Sequence, residues 1–268
     1  MWKETWKTMR NERMGKPNVT YDNAFFQKSS EDFSRRIKFN DYESGRKSTA
    51  ILSDLVDGRS RVLEIGTGPG TLTIPLSKKV TRIVGIERSE KQIDYLKANL
   101  KEAGLDNVEI IHMNWEEVDH DEMTDAFDLV VCSHFLWQVE DLEKLLQTME
   151  NASKGFCALL QPCGRDEIVG SIFEKLGEQR YAGQFEPDAD YFAYAILREW
   201  GRLVNVRYVH YTFERDLEEQ IRYVAGFIGR FYEVNLDVSE MIRDFLIKKS
   251  GNGRYKEDNT ASVMWWKP

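Results

Sequence analysis

The residues best suited to chemistry lie in the stretch VLEIGTGPGTLTIPL, residues 62–76. There Glu64 precedes Gly66, Thr67, Gly68 and Gly70, so an acid is followed by glycines at every second position. Glycine lets the main chain take up positive φ and come close to a ligand. A dinucleotide fingerprint, G-x-G-x-x-G, fails at its last place, which is Thr71. Pro69 removes an amide donor from the middle of the turn, and no Gly-Lys-Ser/Thr follows to cradle a nucleotide phosphate. A carboxylate at Glu64 repels phosphate and attracts ammonium. The ligand these residues suit is polar, carries an amine and has no phosphate.

Such a turn needs a strand before it and a helix after it. RVLEI (61–65) is the expected strand, and TRIVGIE (81–87), VEIIHM (108–113), FDLVVCS (127–133) and FCALLQ (156–161) read as four more. Between them SEKQIDYLKANLKEAG and EDLEKLLQTMENASKG have helical periods. Ser89 and Gln92 form a capping box in the first, and Gly104 is suited to stop it. This alternation predicts an α/β, doubly wound sheet, mostly parallel, with right-handed helical crossovers. Ligands on such sheets sit beyond the carboxyl ends of the strands, where the glycines are.

The flanks have another texture. Residues 1–48 are polar and aromatic, with Trp2, Trp6, Tyr21, Phe25, Phe26 and Phe33, and read as a helical N-terminal cap. Residues 166–202 read as a helical insertion, clearest in DADYFAYAILREW. LVNVRYVHYTF (203–213) is a long alternating strand, a helix is expected over 215–233, and ASVMWWKP suggests a short strand. With no repeat or flexible linker, the expectation is one domain over 1–268, with its cofactor-binding core at 49–165 and an antiparallel strand near the C-terminus.

S-adenosylmethionine has the properties required of the ligand. Residues 61–161 resemble the core of class I S-adenosylmethionine-dependent methyltransferases, in the small-molecule branch that includes quinone methylases. The resemblance implies a Rossmann-like fold, this cofactor with S-adenosylhomocysteine as product, and methyl transfer by in-line displacement. It also implies roles. Glu87, ending the second strand, accepts the ribose hydroxyls, and Arg88 lies along the adenine or is simply solvated. Asn114 stands where an acid usually holds the adenine amino group, and its side-chain oxygen accepts the same hydrogen bond. Trp115 is either an adenine contact or a core tryptophan. The main chain at Cys132 and Ser133 faces the methionine part. In TYDNAFFQKSSEDFSRR (20–36) the pattern resembles a helix that closes over the cofactor, with Tyr21 and Phe33 as lid contacts.

His134 follows directly and could reach the transferring methyl; its ordinary pKa suits a general base near neutral pH, the alternative being a histidine that orients the loop. Cys132 and Cys163 near strand ends raise the lesser idea of a soft metalloid site. No metal is expected otherwise.

The acceptor class is bounded by what the chain lacks. Amino-methylases of nucleic-acid bases carry an Asn/Asp-Pro-Pro-aromatic run after the fourth strand, where this chain has Cys-Ser-His-Phe. A net charge of −8 disfavours a general grip on nucleic acid or anionic membrane. The expected partner is therefore a small acceptor, aromatic or hydrophobic. The alternatives are an RNA or protein methyltransferase and a non-catalytic scaffold that keeps the cofactor fold; a dehydrogenase is the third. No apolar run is long enough to span a membrane, Glu4 and Glu12 count against a transit sequence, and three unpatterned cysteines suit a reducing cytoplasm.

Overall fold

The computed structural model describes residues 2–14, 23–117, 123–163, 167–177, 189–229 and 232–268. Its strands are β1 (Arg61–Ile65), β2 (Arg82–Glu87), β3 (Val108–His112), β4 (Phe127–Ser133), β5 (Ser153–Cys163), β6 (Asn205–Asp216) and β7 (Arg254–Trp266). They form one seven-stranded sheet in the order β3-β2-β1-β4-β5-β7-β6. The first five are parallel, and β7 runs antiparallel to both its neighbours. The chain winds outward in opposite directions from β1 and β4, which pair as far as Ile65 opposite Cys132. A crevice opens at such a reversal, at the carboxyl ends of the strands.

The helices are α1 (Trp2–Met14), α2 (Asn23–Phe39), α3 (Glu43–Leu52), α4 (Thr73–Ser77), α5 (Glu90–Ala103), α6 (Leu142–Ala152), α7 (Glu167–Lys175), α8 (Ala189–Glu199), α9 (Leu217–Ile228) and α10 (Leu236–Ile247). Local chemistry sets several ends. The Ser89 hydroxyl caps α5 by accepting the Gln92 N–H, and Gly104 closes it in a left-handed conformation. Asp141, Asp216 and Asn235 cap α6, α9 and α10 in the same way.

Strand alternation divides the core into two layers. Val130, Cys132, Cys157 and Leu159 face a layer with Trp6 of α1, Leu145 of α6 and Phe192 of α8. Leu129, Val131, Ala158 and Leu160 face the other, with Leu52 of α3 and Leu76 of α4. A third apolar cluster joins α7, α9 and α10 to Tyr255 of β7.

Several elements differ from the sequence reading, three of them near the C-terminus. The strand expected at ASVMWWKP extends back to Arg254, because β7 pairs along the whole of β6 and its polar half has no apolar pattern of its own. The helix expected over 215–233 is shorter, and α10 was not anticipated. Its buried Val238, Ile242 and Leu246 recur every fourth residue. Among the described residues no helix is long and apolar enough to cross a membrane.

Candidate active site

The glycine turn after β1 has the backbone its composition suggests: φ is +78° at Gly66, +53° at Gly68 and +99° at Gly70. A Cβ on Gly66 would meet Phe135 Cδ2 at 2.8 Å and one on Gly70 would meet Leu96 Cδ1 at 2.8 Å, whereas one on Gly68 meets nothing within 4 Å. Gly68 thus sits below open space. Packing braces the turn from behind. Asn99 of α5 donates to the Pro69 carbonyl at 2.8 Å. Gly45 of α3 lies so near that an added Cβ would be 1.8 Å from the Thr71 carbonyl oxygen. Thr67 is buried with its methyl over Gly85, where a Cβ would come within 2.4 Å of it.

Two carboxylates flank the turn. Glu64 is 1% exposed and accepts a hydrogen bond from the Thr73 hydroxyl at 2.8 Å. Burial pushes its pKa up to about 8 against that hydrogen bond, and the nearby Glu87 charge adds to the rise. A cation beside Glu64 would favour its ionised form. Glu87, at the end of β2, accepts the Gly68 N–H at 2.9 Å with one oxygen and the Ser89 N–H at 2.8 Å with the other.

Beyond these lies a narrow, open cleft lined by Gly66, Glu87, Arg88, Asn114 and Trp115. Ile86, Met113 and Phe135 complete the lining and were not singled out in the sequence. The available signals were the β2 alternation at Ile86 and an aromatic residue directly after His134. Trp115 is 4% exposed in the core, with part of its surface on the cleft. Asn114 Oδ1 faces the Glu116 amide at 3.5 Å. Arg88 is exposed, and its carbonyl is 3.1 Å from His112 Nε2.

At the end of β4, Cys132 is fully buried and Ser133 pairs with Leu160. His134 adopts φ +53° and donates its N–H to the Leu160 carbonyl at 2.8 Å. The residue is partly exposed as a whole, yet burial of its ring pushes the pKa down to about 4. Helix α1 holds the loop that follows: Trp6 Nε1 donates to the Val139 carbonyl at 3.0 Å, and Arg10 to the Gln138 carbonyl at 3.2 Å.

The remaining expected residues do not gather here. Tyr21 lies outside the described residues. Phe33 packs under the Arg36 guanidinium, 4.9 Å from its ring centre. Leu159 is opposite Cys132, and Cys163 lies four residues further along β5, roughly 13 Å away at strand rise. The two thiols therefore do not form a metalloid pair.

A family model described as a methyltransferase domain matches residues 57–205, more than half of the chain. The chain belongs to the class I S-adenosylmethionine-dependent methyltransferases. This methyltransferase is 26% identical over 213 residues to the demethylmenaquinone methyltransferase of Bacillus subtilis, covering 78% of its own chain and 84% of that protein. It is 33% identical over 72 residues to the ribosomal RNA small subunit methyltransferase A of Desulforapulum autotrophicum, covering 27% of its own chain and 24% of that protein. Three further curated relatives are spanned over 16% to 43% of their own length. The YcgJ protein of Bacillus subtilis has the same fold, with a TM-score of 0.55 at 15% identity over 82% of the methyltransferase and 98% of that chain. The residues present fit the family's cofactor: open space over Gly68 and an aromatic-walled cleft beside Glu87.

Proposed function

We propose that this methyltransferase binds S-adenosylmethionine across the glycine turn and methylates a small, flat or hydrophobic acceptor. The observation that carries the reading is the pair Glu64 and Glu87 on either side of three positive-φ glycines, with no basic residue from Glu64 to Ser77. A diphosphate there would face the Glu87 carboxylate, while a cationic amino acid–nucleoside conjugate is attracted to it.

In this reading Glu87 accepts the ribose hydroxyls, Asn114 Oδ1 accepts from the adenine amino group, and Trp115 and Phe135 wall the ring. Arg88 covers the rim, the main chain at Cys132 and Ser133 faces the amino-acid part, and Glu64 balances its ammonium. Bound S-adenosylmethionine supplies a methyl already activated on a sulfonium. The protein's own task is then alignment and exclusion of water. His134, uncharged at neutral pH, offers a nitrogen to an acceptor hydroxyl.

A small acceptor is supported by the long overlap with the demethylmenaquinone enzyme, 84% of that protein. Aromatic packing of Trp2 and Trp6 on Phe192, beside the loop after β4, supports a flat or apolar one. Free thiols suit action in a reducing cytoplasm. Calorimetry tests the reading: S-adenosylmethionine should bind, and Gly68→Arg and Glu87→Ala should abolish or strongly weaken binding. Unchanged binding in both variants would refute it.

A second reading, RNA methylation, draws on the local identity with the ribosomal RNA enzyme. It requires RNA binding that weakens steeply with salt. The net charge of −8 weighs against it.

A further inference from the structure

Among the described residues, Gln161 is the buried side chain left without a hydrogen-bond partner at both ends of its amide. It is 0% exposed. Asn107, a comparable amide, donates to both the Ser77 and Val80 carbonyls, and Asn99 donates to Pro69. An unpaired buried amide is costly, whereas an apolar side chain of similar volume would avoid that cost. Glutamine here therefore leaves an amide open to a partner from outside the chain.

The sheet register shows where such a partner would lie. Cys157 and Leu159 face the layer of α1, α6 and α8, so alternation directs Gln161 to that layer. Ser133, the last paired residue of β4, is opposite Leu160, and the His134 N–H reaches the Leu160 carbonyl. Gln161 follows directly. On its other side it pairs with Ser262 of β7, itself 0% exposed. The amide is thus one strand away from His134, at the carboxyl end of the sheet, on the side opposite β1 and its glycine turn.

We propose that Gln161 binds the methyl acceptor, its Oε1 accepting from a hydroxyl and its Nε2 donating to a neighbouring oxygen. The inference rests on the small-acceptor reading above and narrows it to a flat ring bearing two adjacent oxygens, at least one of them a hydroxyl. Because the amide is enclosed, the acceptor must part the side chains over it, as in induced-fit sites. A site built around such a pair rejects an acceptor lacking the second oxygen, since the amide is then left unpaired.

The test uses the full chain with S-adenosylmethionine and two probes: 1,2-dihydroxynaphthalene kept reduced with ascorbate, and 2-naphthol, which lacks the second oxygen. Wild-type protein should prefer the diol by at least about tenfold in kcat/KM. Gln161→Met should lose that preference, keep its cofactor affinity within about twofold and unfold at an equal or higher temperature. A lower unfolding temperature would mean that the amide is partnered inside the protein and would overturn the inference. Equal turnover of both probes by wild type, or an undiminished preference in the variant, would overturn it while leaving the small-acceptor reading intact. Turnover of neither probe by protein that binds the cofactor would overturn both. Absence of cofactor binding would instead refute the underlying assignment, leaving the inference without a reaction.

Discussion

The Gly68 amide donates to Glu87 at 2.9 Å, so the acid that ends β2 grips the glycine turn across the crevice. Its second oxygen takes the Ser89 amide at the start of α5. Glu87 therefore organises the turn as well as facing the cleft. Glu87→Ala should cost at least about tenfold in S-adenosylmethionine affinity, the loss of roughly one hydrogen bond to a charged group. It should also speed amide exchange at Gly68 and Ser89 before any ligand is added. Calorimetry reads the first effect and exchange measured by NMR the second; normal exchange in the variant would separate the two roles.

Glu64 should make cofactor binding proton-linked. Its pKa is about 8 in the folded protein against an ordinary 4.5, so between those values the folded state holds a proton that the unfolded chain has lost. Stability of the ligand-free protein from this group consequently falls as pH rises from 4.5 through about 8. An ammonium group beside Glu64 favours the carboxylate, so binding at pH 7 should release close to one proton. Calorimetry in two buffers of different ionisation enthalpy measures that release, and Glu64→Gln should abolish it.

His134 runs the other way. Its pKa is lowered from 6.5 to about 4, so the unfolded chain takes up the proton first as pH falls, and stability from this group is lost between 6.5 and about 4. A base this weak contributes little by proton abstraction. Turnover should show no inflection near pH 6.5, and His134→Ala should lower kcat by less than the roughly 10²–10⁴ expected of a tuned base. A pH–rate inflection near 6.5 that vanishes in the variant would contradict this.

Trp6 ties α1 to the loop after β4 through one hydrogen bond and a buried ring. Trp6→Phe keeps most of the ring and frees the Val139 carbonyl, which should cost about 0.5–1.5 kcal/mol of stability. Acceptor KM should rise while cofactor affinity stays constant, because the loop held by α1 lies beyond β4 and the glycine turn beyond β1. Urea unfolding and steady-state kinetics check the two halves.

Gly45 and Gly58 form a matched pair of controls. A Cβ at Gly45 collides with the Thr71 carbonyl, whereas one at Gly58 meets nothing within 4 Å. Gly45→Ala should destabilise by at least about 1–3 kcal/mol, the usual cost of overpacking, and weaken cofactor binding by shifting the turn. Gly58→Ala should change neither by more than about 0.5 kcal/mol.

The parts of this architecture visible in the sequence are those written locally. Short β-branched runs, the Ser89 cap and the Gly104 stop defined β1 to β5 and α5, and they put Glu87, Asn114 and Trp115 after the right strands. Those residues line the same cleft because parallel strands bring all their carboxyl ends together. What was not visible depends on distant chain. Phe135 becomes a cleft wall only because Gly66 leaves room for it, and the His134 pKa depends on everything packed around the ring. The polar half of β7 is a strand only because β6 lies beside it. Periodicity reports a residue's neighbours along the chain, and these features are set by neighbours across it.

The strand placed last in sequence order, β7, is inserted between β5 and β6 rather than added at the rim. During synthesis on the ribosome, β5 therefore presents a bare edge for the whole time that residues 164–253 are being made, and β6 has nowhere to dock. Until β7 emerges, the nascent chain is exposed to mispairing and to capture by other strands. Holding back this one strand delays closure of the sheet until residues 254–266 have been made.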